Sequence, residues 1–385
     1  MRTIPYGRHT LDKSDLDAVL DVLKSDWLTT GPKVQEFEAS VANRVSAPFA
    51  VALSSGTAGL HAAIHAIGIG HGDEVILPPM TFVATPNVVV LEGGIPVFAD
   101  VDPGTLLLDP VAVEEKITKN TKAIIAVDYA GQPCDYGALR SIADRYGLFL
   151  IADACHSLGA YDQDRPVGSL ADLTVFSFHP VKPITTGEGG MVVTSNALYA
   201  ERMRRFRNHG ITTDHRQRED RQTWEYEMVS LGANYRLTDF QCALGLSQLS
   251  KLEHWIFQRQ TIAGQYDAAW LEIPGVDPLR RRPKVSHAFH LYVVKVDPVV
   301  FGHSRRELFN QFRQMGIGVN VHYIPVHLQP YYRKHFGTGP GMCPNAEGVY
   351  EKILSLPMYP MLTDEEVRDV LNIFRSSGKP IPLPV

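Results

Sequence analysis

At 385 residues, 44% of them hydrophobic and 21% charged, the chain reads as an ordinary soluble protein with room for one large and one smaller domain. A net charge of −5 and the lack of a basic cluster exclude nucleic acid as the main partner. Cys134, Cys155, Cys242 and Cys343 are far apart and form no CxxC pair, so neither a disulfide framework nor a cysteine zinc site is indicated. No apolar run reaches membrane-spanning length, and the opening MRTIPYGRHT lacks the apolar core of a signal peptide, so a cytoplasmic protein with no membrane partner is expected.

Leu16, Val19, Leu20 and Leu23 recur at helical spacing behind Ser14, the expected cap, and a second helix starts after Gly31 and Pro32. On spacing alone, the turn from Trp27 to Gly31 is a plain connector. From FAVAL at 49–53 onward, apolar runs of strand length alternate with helical patterns. The alternation continues through TKAIIAVDYAG, a helix over Tyr136 to Tyr146, LFLIADACHSLG and DLTVFSF. It predicts an α/β domain with a mostly parallel central sheet, right-handed crossovers and ligands beyond the carboxyl ends of the strands.

Three such strand ends carry chemistry. Ser54, Ser55, Gly56 and Thr57 open a helix, where they form either an ordinary hydroxyl cap or a phosphate site built on free N–H groups. The glycine run Gly68 to Gly72 closes a helix ahead of a strand, the wrong order for dinucleotide binding, and reads as a C-terminal cap and turn. Asp153 ends LFLIAD and either caps the next turn or keeps a bound pyridine nitrogen protonated. Lys182 follows the apolar strand around Val175, Phe176 and Phe178, between Pro180 and Pro183 and ahead of glycines 187, 189 and 190. A partly desolvated lysine in such a turn loses its proton readily and suits Schiff-base chemistry. Phosphate loop, aspartate and lysine in this order within one α/β domain describe a pyridoxal 5'-phosphate site more economically than three unrelated caps.

The blocks WLTTGPKVQEFE, SSGTAGL, GDEVILPPMTFVAT, IADACHSLGA, FSFHPVKPITTGEGG, NYRLTDFQCALGLSQL and VHYIPVH resemble those of the DegT/DnrJ/EryC1/StrS nucleotide-sugar aminotransferases over nearly the whole chain. The resemblance implies an aspartate aminotransferase-like fold (fold type I). It makes Lys182 the catalytic, cofactor-bearing lysine, Asp153 the partner of the ring nitrogen and His156 a neighbour of the ring hydroxyl. Gly56, Thr57 and Ser177 would hold the phosphate, Phe82 would stack on the ring, and Asn234 would reach the site from a neighbouring subunit of a homodimer. Tyr6, Trp27, Leu28, Thr29, Ser55, His322 and Tyr323 align with positions facing the nucleotide sugar, and L-glutamate is the implied amino donor. HPVKPITTGEGG, DYAG and ALGLSQL are most similar to the pseudaminic acid branch of the family. His156, where many relatives carry glutamine, fits that branch and the arabinose-type 4-amino enzymes. A sugar dehydratase on the same fold would carry histidine in place of Lys182, and a non-catalytic sensor would not need the complete set.

His322 and His327 lack a third ligand at metal spacing, so no metal is expected and His327 is read as structural. The run from Ile211 to Met228 is charged and aperiodic and reads as a loop, with a lid over the nucleotide as its functional reading. TDFQCALGLSQLSKLEHWIFQRQTIAGQYDAAWL then predicts one long helix leading from a large domain, 1–245, into a smaller α+β domain, 246–385. In the smaller domain HLYVVKVD and GVNVHY read as strands, SRRELFNQFRQMG and TDEEVRDVLNIFRSS as helices, and KPIPLPV as an extended tail.

Overall fold

The structure, a computed structural model, describes residues 3–377, so the KPIPLPV tail lies outside the described residues. Seven strands form the central sheet: β1 Phe49–Leu53, β2 Glu74–Leu77, β3 Ile95–Phe98, β4 Thr121–Val127, β5 Phe149–Asp153, β6 Leu173–Ser177 and β7 Gly190–Thr194. Their spatial order is β1-β7-β6-β5-β4-β2-β3. β2 to β6 pair in parallel, whereas β7 runs antiparallel to both β1 and β6. The strands are near-continuous runs of Val, Ile and Ala because helices cover both faces, and β6 and β7 are buried throughout.

This topology brings the carboxyl ends of β1, β4, β5 and β6 to one edge. Leu53 and Ser177 both pair with Gly190, and Val127 pairs with Asp153. The three strand ends singled out from the sequence are therefore neighbours in space.

A second core, built on Tyr266, Trp270, Tyr292, Phe301, Phe312 and Phe374, lies under an antiparallel sheet of β8 Val276–Pro278, β9 Tyr292–Val296 and β10 Ile353–Leu356. The N-terminal Ile4 packs into it, and the helix Leu252–Trp270 spans both cores, giving Trp255 and Ile256 to the first and Ile262 to the second. Among the described residues no helix is long and apolar enough to cross a membrane.

Several local expectations are corrected. The helix Lys13–Leu23 is capped by Asp12, not Ser14: the Asp12 carboxylate accepts the N–H groups of Ser14 and Asp15, and Asp15 accepts that of Asp12. The carboxylate is the stronger acceptor at that end, and the Ser14 hydroxyl donates to it at 2.7 Å. The apolar stripe of that helix is not core: Leu16, Leu20 and Leu23 are exposed. The long helix is two helices, Asp239–Leu249 and Leu252–Trp270, broken at Ser250 and Lys251. The segment Gly318–Tyr323 forms no strand but a single bridge from Asn320 to Ser355. The loop from Ile211 to Met228 contains a short helix, His215–Asp220, with a complete capping box from Asp214 and Gln217. Helical periodicity cannot show over so few residues.

Candidate active site

A cavity of about 560 Å³ opens at the strand edge. Eleven of the fifteen residues expected in the site line it: Tyr6, Ser55, Gly56, Thr57, Phe82, Asp153, His156, Ser177, Lys182, His322 and Tyr323. The other four, Trp27, Leu28, Thr29 and Asn234, do not reach it. They sit on a neighbouring face, where Thr29 bridges Thr238, Asn234 bridges Asn208, and Arg216 lies 5.6 Å over the Trp27 ring.

The helix Gly56–Ile67 starts at the cavity wall. Its first N–H groups have no partner within the helix; the Ser55 hydroxyl accepts only that of Ala58, at 3.0 Å, so Gly56 and Thr57 offer theirs to the cavity they line. Ser55 is therefore a cap as well as a lining residue. A Cβ on Gly56 would come within 2.9 Å of Ser177 Cβ and 3.0 Å of Cys155 Sγ, so only glycine lets this turn close on the end of β6. The result is an anion cradle of two amides and a hydroxyl.

Asp153 is buried at the end of β5. Its Oδ2 accepts the Thr85 hydroxyl at 2.7 Å, and Thr85 in turn meets the hydroxyl of Thr81, four residues back, at 2.7 Å. Lys182 closes a turn in which its N–H donates to the His179 carbonyl at 2.9 Å. Burial pulls the lysine below its usual basicity, against the opposing pull of Cys155 and Asp153. His156 is held at Nε2 by the Tyr323 hydroxyl, 3.2 Å away, while its buried Nδ1 has no partner among the described residues. Burial, Lys182 and His322 all depress its basicity. Phe82 is 58% exposed, with its ring on the cavity wall.

Sequence reading missed Thr85, Asp128, His290 and Asn320. Thr85 lies inside the TFVAT block, four residues after Thr81, and that hydroxyl spacing was the available signal. Asp128 directly follows β4, beside Asp153 at the end of β5. It is completely buried, accepts from Ser157 Oγ, Cys134 N and Tyr136 Oη at 2.6–2.8 Å, and is pushed up to about 7 by burial, against those three donors. His327, buried, meets Glu347 at 2.9 Å, away from the cavity. Among the described residues no group of three or more His, Cys, Asp or Glu is arranged to hold a metal.

The cradle fits a phosphate, the Thr85-held carboxylate fits a ring nitrogen, the open face of Phe82 fits an aromatic ring, and the unpartnered His156 Nδ1 awaits a polar neighbour. Together with the fold, these features define a pyridoxal-phosphate aminotransferase of the aspartate aminotransferase-like fold. The chain belongs to the DegT/DnrJ/EryC1/StrS aminotransferase family, whose model matches residues 9–375. It is 41% identical over 378 residues to the spore coat polysaccharide biosynthesis protein SpsC of Bacillus subtilis, covering 98% of this chain and 97% of SpsC. Helicobacter pylori PseC, an aminotransferase of pseudaminic acid biosynthesis, superposes with a TM-score of 0.92 at 33% identity, over 98% of this chain and 99% of PseC. Spr1654 of Streptococcus pneumoniae, solved in its PLP form, superposes at 0.90 with 31% identity over 98% of each chain, and its PMP form at 0.91.

Proposed function

We propose that the chain is a nucleotide-sugar aminotransferase that moves the amino group of L-glutamate to C4 of a UDP-linked 4-keto-6-deoxy-N-acetylhexosamine, as in pseudaminic acid formation. The observation that carries this reading is the convergence of Lys182, Asp153 and the Gly56–Thr57 cradle in one cavity with Tyr6, His322 and Tyr323. The likeness to PseC supports the sugar class.

When bound, pyridoxal phosphate supplies an electrophilic carbonyl and a protonated ring that takes up an electron pair. The residues of the chain do the rest. Gly56, Thr57 and Ser177 would hold the phosphate, and Phe82 would cover one ring face. Asp153, aimed by Thr85, keeps the ring nitrogen protonated. Lys182, its basicity lowered by burial, would hold the cofactor through its amine and serve as the base that moves a proton at the substrate carbon.

The site is shared in a homodimer. Support comes from the face that carries Trp27, Leu28, Thr29 and Asn234. It borders an exposed apolar run, Trp224, Tyr226, Met228, Val229 and Leu231, in which Trp224 is 84% and Leu231 78% exposed. An exposed apolar run of this kind is what a subunit interface would cover. A second reading is another nucleotide keto sugar, such as a GDP-linked 4-keto-6-deoxymannose or a UDP-linked 4-keto pentose: SpsC, 41% identical, is named for spore coat polysaccharide biosynthesis and not for pseudaminic acid.

The test separates the two half-reactions by absorbance. Excess L-glutamate bleaches the visible cofactor band of the purified enzyme, and after desalting the 4-keto sugars are added one at a time. Recovery with the UDP-linked 2-acetamido sugar alone supports the first reading. Recovery with a GDP-linked sugar alone supports the second and removes the first.

A further inference from the structure

His322 lines the cavity and is 8% exposed, and its two ring nitrogens have unlike partners. Nδ1 lies 2.9 Å from the hydroxyl of Ser355, a buried residue of β10. Nε2 lies 3.3 Å from the side-chain nitrogen of Asn320. The orientation of that amide is fixed independently, because Asn320 Oδ1 accepts the N–H of Val321 at 2.8 Å and an amide nitrogen cannot. The backbones of Asn320 and Ser355 also exchange both hydrogen bonds, at 3.1 and 2.8 Å, so the pair flanking the ring is anchored as a unit.

An amide nitrogen only donates, so Nε2 must accept, and the ring proton must sit on Nδ1, donated to Ser355. Protonating the ring would set an N–H of His322 against an N–H of Asn320. We propose that Asn320 is a positioning residue that locks His322 as its neutral, Nδ1-protonated form. With the Nε2 lone pair occupied, the hydrogen-bonding group this segment offers a substrate is the remaining N–H of the Asn320 amide and not an imidazolium. Asn320 itself lines the cavity.

The surroundings point the same way. Lys182, His156 and His290 all line the cavity, and a second cation beside Lys182 is disfavoured. Burial and Lys182 bring His322 down to about 4. The Tyr6 ring is 5.6 Å away, Tyr323 packs edge-on at 5.0 Å, and the Tyr129 hydroxyl donates to the His322 carbonyl. The carboxylates of the same cavity belong to Asp153 and Glu188.

The test reads the ring directly and does not depend on which sugar is the substrate. In holoenzyme labelled with nitrogen-15 histidine, the His322 signals are assigned by comparison with His322→Gln. The expected spectrum shows Nδ1 protonated and Nε2 bare from about pH 6 to about pH 8, a window in which an unconstrained histidine titrates. Asn320→Asp replaces the donor with a carboxylate, so both ring nitrogens should carry protons at neutral pH, the midpoint rising by about one to three pH units. The same variant should gain a new limb in its rate–pH profile at that midpoint. A protonated Nε2 in the unmodified enzyme at neutral pH overturns the proposal, as does an Asn320→Asp spectrum identical to it. If the variant fails to fold, the spectrum of the unmodified enzyme decides alone.

Discussion

Two regions of the molecule carry the residues expected to act together, and they are built differently. The strand-edge cavity gathers Lys182, Asp153 and the Gly56–Thr57 cradle from segments far apart in sequence, with Asp153 buried and held by the Thr85 hydroxyl and Lys182 set in a turn closed on the His179 carbonyl. The face around Trp27, Leu28, Thr29 and Asn234 is open, bordered by exposed aromatic and aliphatic side chains, and does not reach that cavity within its own chain. On the proposed reading the difference separates chemistry from recognition: one chain gathers the reacting groups, while the second face would be completed by a partner surface.

The sharpest way to break this division is Lys182→Ala, which should abolish turnover, a loss beyond the 10²- to 10⁴-fold typical of a general base, while the protein stays folded. Residual activity near that of the unmodified enzyme would remove Lys182 from the centre of the cavity. Next in size, Asn234→Ala should lose most activity, and mixing it with Lys182→Ala subunits should restore about a quarter of the unmodified rate, since half the random dimers then hold one intact site. No recovery in the mixture, after subunit exchange is verified, would place Asn234 outside any shared site.

Asp153→Asn should keep the fold and slow turnover by about ten- to a hundredfold, the worth of one charged hydrogen bond. Thr85→Val, which leaves the carboxylate but releases its hydroxyl partner, should cost less, about three- to tenfold. Equal losses in the two variants would mean that orientation, and not charge, is what Asp153 supplies.

The smallest expected effect is electrostatic. Asp128, raised by burial to about 7, binds a proton in the folded chain at pH values where the unfolded chain has released it. Its contribution to stability is therefore fully present below the unfolded carboxylate pKa and is lost as pH rises toward about 7. Thermal melts between about pH 4 and about pH 8 should show this fall, with a slope of up to one proton, and Asp128→Asn should flatten it. An unchanged slope in that variant would mean that other groups titrate in the window.

What the sequence made legible follows the same division. Strand-end residues are readable because the parallel topology sends every β-to-helix junction to one edge, so Asp153, Lys182 and the Gly56–Thr57 turn could be joined before any coordinates. Asp128 carried the same signature but was passed over, because burial and the convergence of three donors are tertiary facts. Apolar periodicity located the helix Lys13–Leu23, yet Leu16, Leu20 and Leu23 are exposed: a stripe reports a face to be covered, not what covers it. The break at Ser250 and Lys251 had no glycine or proline to announce it. Asn320 was hidden inside a segment read as a strand, whose alternation says nothing about an amide turned toward a neighbouring ring.

Gly190, the first residue of β7, has Leu53 on one side and Ser177 on the other, and a side chain there would collide with the Ser55 carbonyl. The lysine-bearing excursion from β6 to β7 and the turn that opens the helix at Gly56 are thus seated on one contact with no clearance. They behave as a single machined part: a shift in either carries the other with it, so the distance between the amine and the anion cradle is set by the sheet and not by the loops.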